Sequence, residues 1–401
     1  MRVLAITKIF PNAVEPLSAP FNRQQLAKLA ELCSLELFAT IPWFPGAALF
    51  DRWSLAGRLV RVPREETIDG LRVRHPRFLF VPRLAATSGV LYAASLLGPV
   101  LAQRGSVDVV LGTWAYPDGF AAVLLAERLG VPAVIKLHGS DINVVAKLPG
   151  PRRALRWALP RAAQIVAVSR PLARDVEDLG VDASRVSIVR NGVDTKLFCP
   201  RDRSEARRAL GIDERGKLIA YVGRLEREKG VLDLIEAYGR MGRARRGVTL
   251  ALIGEGSLHD ACHALAHKLG IQVRLTGGVP LADVPTWLAA SDVLALPSWN
   301  EGTPNVVLEA LACGRRVVAT RVGGIPDVVE SPELGALVPP REPAALAEAL
   351  IVALRTSYDE ARIVRLCEPQ SWAESAARLH AVLAAACAER RVHLVSRRAL
   401  A

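Results

Sequence analysis

The sequence predicts an α/β protein built from two doubly wound parallel-sheet domains. Short runs of apolar and β-branched residues lack the alternation expected of half-buried strands, so both faces of each sheet should be covered. These runs alternate with helical segments, and the alternating pattern occurs twice along the chain. The 401 residues are enough for two cores of ordinary domain size.

The first half of the chain contains six strand candidates, each a short apolar run of the kind that fills a parallel sheet. They are Val3–Thr7, Leu35–Thr40, Val107–Leu111, Ala133–Leu137, Ile165–Val168 and Val186–Val189. The segments between them include the predicted helices Arg23–Leu32 and Gly119–Leu129.

The second half repeats this pattern with five further strand candidates and the helices between them. The strands are Leu218–Val222, Thr249–Ile253, Val273–Thr276, Val293–Leu296 and Arg316–Ala319. The helices include Gly230–Arg240, Leu258–Leu269, Val284–Ala290 and Pro304–Ala312.

A break in the pattern at Asn191–Pro200 predicts the boundary between the two domains. We therefore expect an N-terminal domain at residues 1–195, a C-terminal domain at 196–370, and a final helical segment, 371–401, that crosses back to the first domain. In doubly wound sheets, ligands bind beyond the carboxyl ends of the strands. Two such domains facing each other would form a ligand-binding cleft.

The formal net charge is +12, and two basic stretches of the first half contribute strongly to it. Residues 52–83 hold eight Arg against three acidic residues, and residues 142–174 hold seven basic residues and no acidic one. The apolar residues interleaved with them are Trp53, Leu55, Leu59, Phe78, Phe80, Leu148, Leu155 and Trp157. This mixture suits an anionic membrane surface, and an Arg-rich solvated face is the alternative. Nucleic acid is not expected as a partner, because no nucleic-acid motif accompanies the charge.

Three further features bear on the compartment. The six Cys are scattered without a CxxC pair, which predicts free thiols in a reducing environment. The N-terminal run MRVLAITKIF is typical of a strand and not of a signal peptide. The uncharged run Leu84–Gln103 has the length of a membrane span, but its Thr, Ser, Gly and Pro residues favour a buried helix. We expect a cytoplasmic protein that is peripheral on the inner membrane face if its basic stretches bind lipid.

Two carboxylates flank a predicted helix start in the segment Glu301–Glu309. Thr303 fits the N-cap and Pro304 fits the first helical position. The backbone N–H groups near Asn305 and Val306 would then favour a phosphate, while the carboxylates could accept hydrogen bonds from sugar hydroxyls. This pattern suits a nucleotide-sugar. A surface loop followed by a solvated helix face is the alternative.

Two strand-to-helix turns of the second half carry glycine and basic residues. In the first turn, Gly223 allows close backbone approach, and Arg224 and Lys229 could bind one diphosphate. A surface loop in which both basic residues are salt-bridged is the alternative. In the second turn, Gly254 and Gly256 could admit a nucleotide backbone. This turn lacks the Gly-rich dinucleotide fingerprint, which argues against a nicotinamide dehydrogenase.

Two residues of the first half follow predicted strands. His138 begins the segment HGSD (138–141) and could contact a bound sugar, or it could be a capped loop histidine. Asp118 lies in TWAYPDG (113–119) and could cap the next helix or contact substrate on the acceptor side.

A third group, His259, His263 and His267 with Cys262 beside them, could suggest a metal site on a helix. Successive steps of four residues drift by about 40° around a helix, and no acidic residue or Cys pair completes a ligand set. We therefore predict a solvated helix and no metal site.

Together these motifs resemble those of the GT-B glycosyltransferases, in particular the retaining family 4, over nearly the whole chain. The motifs are HGSD (138–141), VSRPLARDV (168–176), RNGVDTKLF (190–198), YVGRLEREKG (221–230), IGEGS (253–257), ALPSWNEGTPNVVLEALACG (295–314) and VGGIPDVV (322–329). The last two blocks, with this spacing, are highly specific for this family. The segment around Trp372 is similar to the closing helix of the family.

The resemblance implies a nucleoside-diphosphate sugar as donor and a glycan or lipid-linked acceptor. It implies that Arg224 and Lys229 bind the donor diphosphate and that Glu309 holds the ribose hydroxyls. Glu301 and His138 match residues that contact the transferred sugar. The resemblance also implies a reaction that needs no metal, because basic side chains and a helix N-terminus take the role of a divalent ion.

One segment departs from the family pattern, and three others are similar to those of one subgroup of the family. Many relatives carry a Gly-rich loop after the first strand, whereas residues 11–21 contain no glycine. The segments FPNAVEPLSAPFNRQQLAKL (10–29), TWAYPDG and HGSDIN are most similar to those of bacterial polysaccharide enzymes of the teichuronic or colanic acid type.

Two other functions stay open at this point. A GT-B-fold sugar-nucleotide epimerase would act on the donor alone. A non-catalytic glycan-assembly scaffold would keep the fold without the site. The presence of Arg224, Lys229, Glu301 and Glu309 argues against the scaffold.

Overall fold

The structure is a computed structural model that describes residues 1–51, 54–80 and 88–399. The chain divides into two compact units, Met1–Asn191 together with the terminal helix, and Gly192–Ser371. Nine residues of the basic and uncharged stretches lie outside the described residues: Arg52, Trp53 and residues 81–87.

The first unit is organised by an eight-stranded sheet and a separate pair of strands. Its strands are β1 (Arg2–Thr7), β2 (Ser34–Ala39), β3 (Ile41–Trp43), β4 (Glu65–Ile68), β5 (Leu71–Arg74), β6 (Arg77–Leu79), β7 (Val109–Gly112), β8 (Ala133–Leu137), β9 (Gln164–Ala167) and β10 (Val186–Ile188). The sheet has the order β10-β9-β8-β7-β1-β2-β5-β4, and β3 pairs with β6. Every pair in the sheet is parallel except β4 with β5.

The helices of the first unit cover both faces of this sheet. They are α1 (Pro20–Ala30), α2 (Leu55–Arg58), α3 (Ser88–Leu101), α4 (Phe120–Leu129), α5 (Ser140–Asn143), α6 (Pro149–Ala158) and α7 (Arg170–Glu177). Leu4 and Ile6 of β1 belong to one buried cluster, whereas Val3 and Ala5 belong to the other. The strand is therefore apolar throughout because each face meets its own layer of helices.

The strands β4 and β5 form an antiparallel hairpin that lies outside all the predicted strands. Asp69 and Gly70 connect them, with positive φ angles of 48° and 78°. Positive φ at both central residues is the geometry of the tight turn that Asp-Gly favours. The hairpin lies at the sheet edge and is rich in charged residues, so no apolar run marks it.

The second unit contains a six-stranded sheet in which every pair is parallel. Its strands are β11 (Lys217–Val222), β12 (Val248–Ile253), β13 (Arg274–Gly277), β14 (Val293–Leu296), β15 (Arg316–Thr320) and β16 (Gly335–Val338), in the order β13-β12-β11-β14-β15-β16. Its helices are α8 (Arg203–Leu210), α9 (Val231–Arg240), α10 (His259–Lys268), α11 (Val284–Ala290), α12 (Asn305–Ala312), α13 (Pro343–Arg355) and α14 (Glu360–Cys367). The architecture confirms the predicted class, two doubly wound parallel-sheet domains.

The final helix, α15 (Trp372–Ala399), belongs to the first unit and packs against α1. Leu379 and Leu383 join Leu26 and Leu29 in one buried cluster. The terminal helix therefore completes one of the two apolar layers of the first sheet. Within the described residues, no helix is long and apolar enough to span a membrane.

A chain of buried polar groups fixes the beginning of α15. The Lys136 ammonium donates to the side-chain oxygen of Gln25, whose amide donates to Ser375 Oγ at 2.8 Å. Ser375 Oγ donates in turn to the Arg190 carbonyl oxygen at 2.7 Å. Burial lowers the pKa of Lys136 to about 7. Because each buried polar group costs free energy when it is left unpaired, these contacts specify where α15 docks.

Candidate functional site

The second sheet has a topological switch point between β11 and β14. From β11 the chain continues to β12 on one side, whereas β14 lies against β11 on the other side. The loops that follow β11 and β14 therefore diverge, and such a switch point is where doubly wound sheets bind ligands. The first loop carries Gly223, Arg224 and Lys229, and the second carries Glu301.

Lys229 and Glu301 meet across this switch point. Lys229 Nζ lies 2.7 Å from Glu301 Oε1, and their side chains are 22% and 9% exposed. Ser298 Oγ donates to the same carboxylate oxygen at 2.7 Å. Lys229, predicted to bind the diphosphate, and Glu301, predicted to bind the sugar, thus form a partly desolvated ion pair with each other. Ser298 fixes the Glu301 carboxylate further.

Arg224 extends into solvent from a fixed backbone. Its side chain is 68% exposed and lies 3.3 Å from Glu228 in a pair that solvent weakens. The Tyr221 hydroxyl donates to the Arg224 carbonyl oxygen at 2.6 Å. The position of the loop is therefore set, while the guanidinium can reorient toward an anion.

Gly254 and Gly256 are required by contacts between the two loops of the protein itself. A Cβ at Gly254 would lie 1.9 Å from the Gly223 carbonyl oxygen, and one at Gly256 would lie 2.3 Å from the Leu225 carbonyl oxygen. Both glycines therefore serve a tight loop-to-loop contact, and their role in admitting a nucleotide backbone stays a prediction.

The helix α12 begins at the same edge of the sheet, one residue later than predicted. Thr303 is not its N-cap. The N-cap is Pro304, with an extended ψ of 118°, and no side chain forms a hydrogen bond at the cap. Because Pro304 is not helical, Asn305 and Val306 form the first turn, where the helix dipole and backbone N–H groups favour an anion.

Glu309 lies on α12, one turn beyond the first turn of the helix. Part of the residue reaches solvent, but its carboxyl group is surrounded by protein atoms, and this desolvation raises its pKa to about 7. Among the described residues, none donates a hydrogen bond to this carboxyl group. Glu309 is therefore a desolvated acceptor that gains from a ligand hydroxyl.

His138 lies at the carboxyl end of the first sheet, directly after β8. Its ring contacts Phe21, with centroids 4.7 Å apart, and stacks on Trp114 at 5.8 Å. Burial, together with the charge of Lys136, holds the pKa of His138 well below its usual value, so the imidazole is neutral. His138 Nε2 is buried without a hydrogen-bond partner among the described residues.

Asp141, the last residue of HGSD, shapes the backbone around His138. Its carboxylate accepts hydrogen bonds from the backbone N–H groups of Ala115 at 3.0 Å and Gly139 at 2.7 Å. It also accepts from His138 N at 3.2 Å. This buried carboxylate therefore ties the turn after β8 to the turn after β7.

Asp118 is completely buried and does not cap α4 as one interpretation expected. The N-cap of α4 is Gly119, which has no side-chain hydrogen bond. Asp118 instead accepts from Lys8 N at 2.9 Å and from the Tyr92 hydroxyl at 2.8 Å. Burial raises its pKa to about 7. In this structure the carboxyl group fixes the end of β1.

The histidines of α10 lie on the solvent-facing side of that helix. His259, His263 and His267 are exposed, whereas Cys262 faces the core. Within the described part of the chain, no group of three or more His, Cys, Asp or Glu side chains could hold a metal ion.

Three residues near these sites were not singled out from the sequence: Ser298, Lys8 and Trp114. Ser298 directly contacts Glu301. Lys8 immediately follows β1, and one residue separates Trp114 from the end of β7. The rule that ligands bind beyond the carboxyl ends of strands would have identified all three, because each lies just past a predicted strand.

Comparisons with known proteins cover both units. The model of the family "Glycosyl transferases group 1" matches residues 216–356, and that of "Glycosyltransferase Family 4" matches residues 59–197. TuaC of Bacillus subtilis, a glycosyltransferase assigned to teichuronic acid biosynthesis, is 30% identical over 370 residues, which is 90% of each chain. D-inositol 3-phosphate glycosyltransferase 1 of Catenulispora acidiphila is 32% identical over 313 residues, covering 72% of this chain and 73% of that protein.

Solved structures share the fold at lower identity. Anabaena Alr3699/HepE in complex with UDP and glucose has a TM-score of 0.70 at 20% identity, covering 96% of this chain and 99% of that chain. Sucrose-phosphate synthase from Thermosynechococcus elongatus also has a TM-score of 0.70, at 17% identity and full coverage of both chains (100% each).

Proposed function

Because the chain belongs to the group 1 and family 4 glycosyltransferases, with their GT-B fold, we propose that it transfers a hexose-type sugar from a nucleoside diphosphate with retention of configuration. It is a glycosyltransferase of glycan biosynthesis. The acceptor is a glycan or lipid-linked sugar. The observation that carries the proposal is the Lys229–Glu301 pair at the switch point of the second sheet, beside the start of the helix that bears Glu309.

The donor nucleotide binds through the second unit. The Glu309 carboxylate, whose burial raises its pKa to about 7, accepts hydrogen bonds from ribose hydroxyls. Arg224 and Lys229 bind the diphosphate, together with the backbone N–H groups of the first turn at Asn305 and Val306. These groups supply the positive charge that a divalent ion would otherwise provide, so the reaction proceeds without a metal.

In the second unit Glu301 contacts the transferred sugar, and in the first unit the neutral His138 is a sugar-binding residue. In the transfer step the bond between the anomeric carbon and the β-phosphate oxygen breaks, and the acceptor oxygen forms its bond on the same face. The proton of the acceptor hydroxyl passes to the departing phosphate. No side chain is needed as a dedicated base, so Glu301 acts by binding the sugar that carries the developing positive charge, and His138 likewise acts by binding and not as a base.

A thermal-shift screen of UDP-, GDP- and ADP-sugars tests this function. A true donor at one hundred times its dissociation constant adds about 2.7 kcal/mol to the free energy of unfolding. UDP-sugars are the first candidates, because a solved relative binds UDP and glucose. The selected donor is then incubated with and without acceptors. Conversion of the donor to an epimer without acceptor would support the epimerase instead, and no stabilisation by any nucleotide-sugar would contradict the assignment.

We also propose that the first unit binds an anionic membrane surface through α6. Arg152, Arg153 and Arg156 are exposed on this helix, and the neighbouring Leu148 is 50% exposed. Leu155 of the same helix is buried, so its apolar side chain serves the core instead. Basic residues beside an exposed apolar one give the mixed attraction that suits anionic headgroups.

Reversing the three charges (Arg152, Arg153 and Arg156→Glu) is expected to weaken binding to vesicles of phosphatidylglycerol and phosphatidylcholine by about 100-fold or more. Each basic residue near such a surface contributes about 1 kcal/mol. Vesicle co-sedimentation at 0.15 M salt measures the effect. The matched control replaces Arg215, Arg243 and Arg246 of the second unit, which are exposed as well. An equal loss in both variants, or none in the first, would remove α6 from the proposal.

A further inference from the structure

The first sheet has a switch point of its own, and two residues without an assigned role lie there. From β1 the chain continues to β2 on one side, whereas β7 lies against β1 on the other side. Lys8 follows β1 directly, and Trp114 lies just beyond β7. Their positions correspond to those of the Lys229 and Glu301 loops in the second sheet, so the same rule predicts a ligand there.

Trp114 and Lys8 form one surface with His138. The indole and imidazole rings are stacked with an interplanar angle of 20° and centroids 5.8 Å apart. Lys8 Nζ lies 5.6 Å from the centroid of the Trp114 ring. Trp114 is partly exposed and Lys8 is exposed. An aromatic face beside an ammonium group suits a ligand that has both an apolar ring face and a negative charge.

Two polar atoms of this surface lack partners. Trp114 Nε1 and His138 Nε2 are both buried without a hydrogen bond from any residue that the structure describes. A buried polar group that is left unpaired is unfavourable. Hydroxyl groups can accept from the indole N–H and bond to either tautomer of the imidazole. A hydroxylated ring therefore supplies what both atoms lack.

The backbone around this surface is already fixed. Asp118 accepts the N–H of Lys8 at 2.9 Å, and Asp141 accepts the N–H of Ala115, next to Trp114, at 3.0 Å. Both carboxylates are completely buried. Residues held in this way need little ordering when a ligand binds, which is the condition for a specific subsite.

The charges around Lys8 leave its ammonium available. Asp118 and Asp141 are buried and already accept backbone hydrogen bonds, Lys136 is buried, and His138 is neutral. Lys8 Nζ lies over the Trp114 ring, and its charge partly offsets the raised pKa of the buried Asp118, but it forms no salt bridge with a residue in the described ranges. A negative group of a ligand would therefore give this ammonium a direct ion pair.

We propose that Lys8 and Trp114 form an acceptor subsite for a sugar ring that carries an anionic group. The ring lies against Trp114, its hydroxyls bond to Trp114 Nε1 and His138 Nε2, and Lys8 binds a carboxylate or phosphate. This inference rests on the proposed function, in which the second unit binds the nucleotide. A uronic acid and a lipid-linked sugar phosphate are the two sources of such a charge.

The test compares three acceptor probes that share one sugar: octyl glucoside, octyl glucuronide, and glucose joined to an octyl chain through a phosphodiester. With the donor selected by the screen, the KM of an anionic probe should be about tenfold lower than that of the neutral one, since a charge-assisted contact is worth about 1.4 kcal/mol or more. The anionic probe with the lower KM shows whether the subsite takes a uronic acid or a sugar phosphate. Saturation-transfer NMR of the same probes, without donor, measures the preference as dissociation constants.

Two variants separate the contributions of charge and ring. Lys8→Gln should raise the KM of the anionic probe to that of the neutral one. Trp114→Phe keeps a ring but removes the N–H, and it should raise the KM of all three probes by about tenfold. The dissociation constant of the donor should stay unchanged in both variants. Lys28→Gln, a partly exposed lysine of the same unit that pairs with Glu31, is the matched control.

Equal affinity of the wild-type protein for neutral and anionic probes would overturn the subsite. So would a Lys8→Gln variant that retains the preference for the anionic probe, or one that weakens donor binding as much as acceptor binding. These outcomes differ from failure of the proposed function, which would show as a wild-type protein that binds no nucleotide-sugar.

Discussion

Replacing Glu309 by Gln is expected to weaken nucleotide binding by about 100-fold while making the unliganded protein more stable at alkaline pH. The loss of affinity follows because ribose hydroxyls bond more strongly to a desolvated carboxylate than to a neutral amide, by about 1–1.5 kcal/mol for each of two hydrogen bonds. Isothermal titration with the nucleoside diphosphate of the donor measures this effect.

The gain in stability follows from the raised pKa of Glu309. The folded pKa of about 7 exceeds the usual value of 4.5, so ionisation is harder in the folded state. The stability of the wild-type protein is therefore intact below pH 4.5 and is lost as the pH rises through 7. This loss amounts to about 3 kcal/mol at pH 8. Gln stays neutral and avoids it.

Thermal unfolding at two pH values tests this argument. The Tm of Glu309→Gln should exceed that of the wild type at pH 8, and the two should coincide near pH 4.5. Glu348→Gln, on an exposed position of α13, is the matched control and should show neither effect. A variant that binds the nucleotide as the wild type does would remove Glu309 from the donor site, whatever its stability.

Replacing both Arg224 and Lys229 by Ala is expected to reduce the affinity for a nucleoside diphosphate by about 1000-fold. Each lost charge-assisted contact to the diphosphate costs about 2 kcal/mol. The affinity for the corresponding nucleoside, which has no phosphate, should change little, because Glu309 is intact. Comparing the two ligands by titration therefore separates loss of the diphosphate contacts from general damage to the site.

The single variants should differ in stability. Arg224→Ala should leave the Tm nearly unchanged, because that side chain is 68% exposed. Lys229→Ala should lower it, because the Glu301 carboxylate, 9% exposed, loses its partner. Arg227→Ala, an exposed arginine of the same loop, is the matched control. Equal weakening of nucleoside and diphosphate binding in the double variant would contradict the assigned roles.

The parallel strands were predictable because burial on both faces leaves an uninterrupted apolar run. For β8 and β14 the predicted bounds equal the observed ones, and both strands are buried throughout. The charged hairpin of β4 and β5 follows from an Asp-Gly turn and edge pairing, which no apolar run indicates. The short edge strand β16 begins at a glycine that lies against the Val317 carbonyl oxygen, a tertiary contact that only the folded chain reveals.

The residues of the candidate site were predicted from the sequence, but their contacts were not. Spacing and the family resemblance together pointed to Glu301, Glu309 and Lys229, each on a loop or helix that follows a strand. The direct Lys229–Glu301 pair depends on β11 and β14 being neighbours in the sheet, although Lys229 and Glu301 are 72 residues apart. The loop-to-loop role of Gly254 depends likewise on a backbone approach that sequence spacing does not encode.

The docking of α15 on the first unit also determines the order in which the chain can fold during synthesis. The second unit is continuous, whereas the core of the first unit includes Leu379 and Leu383 near the end of the chain. At about 5–20 residues per second, the ribosome needs roughly 10–40 s to proceed from residue 191 to residue 383. The half of the protein that is made first is therefore completed last, and its apolar layer at Leu26 and Leu29 stays uncovered throughout that interval.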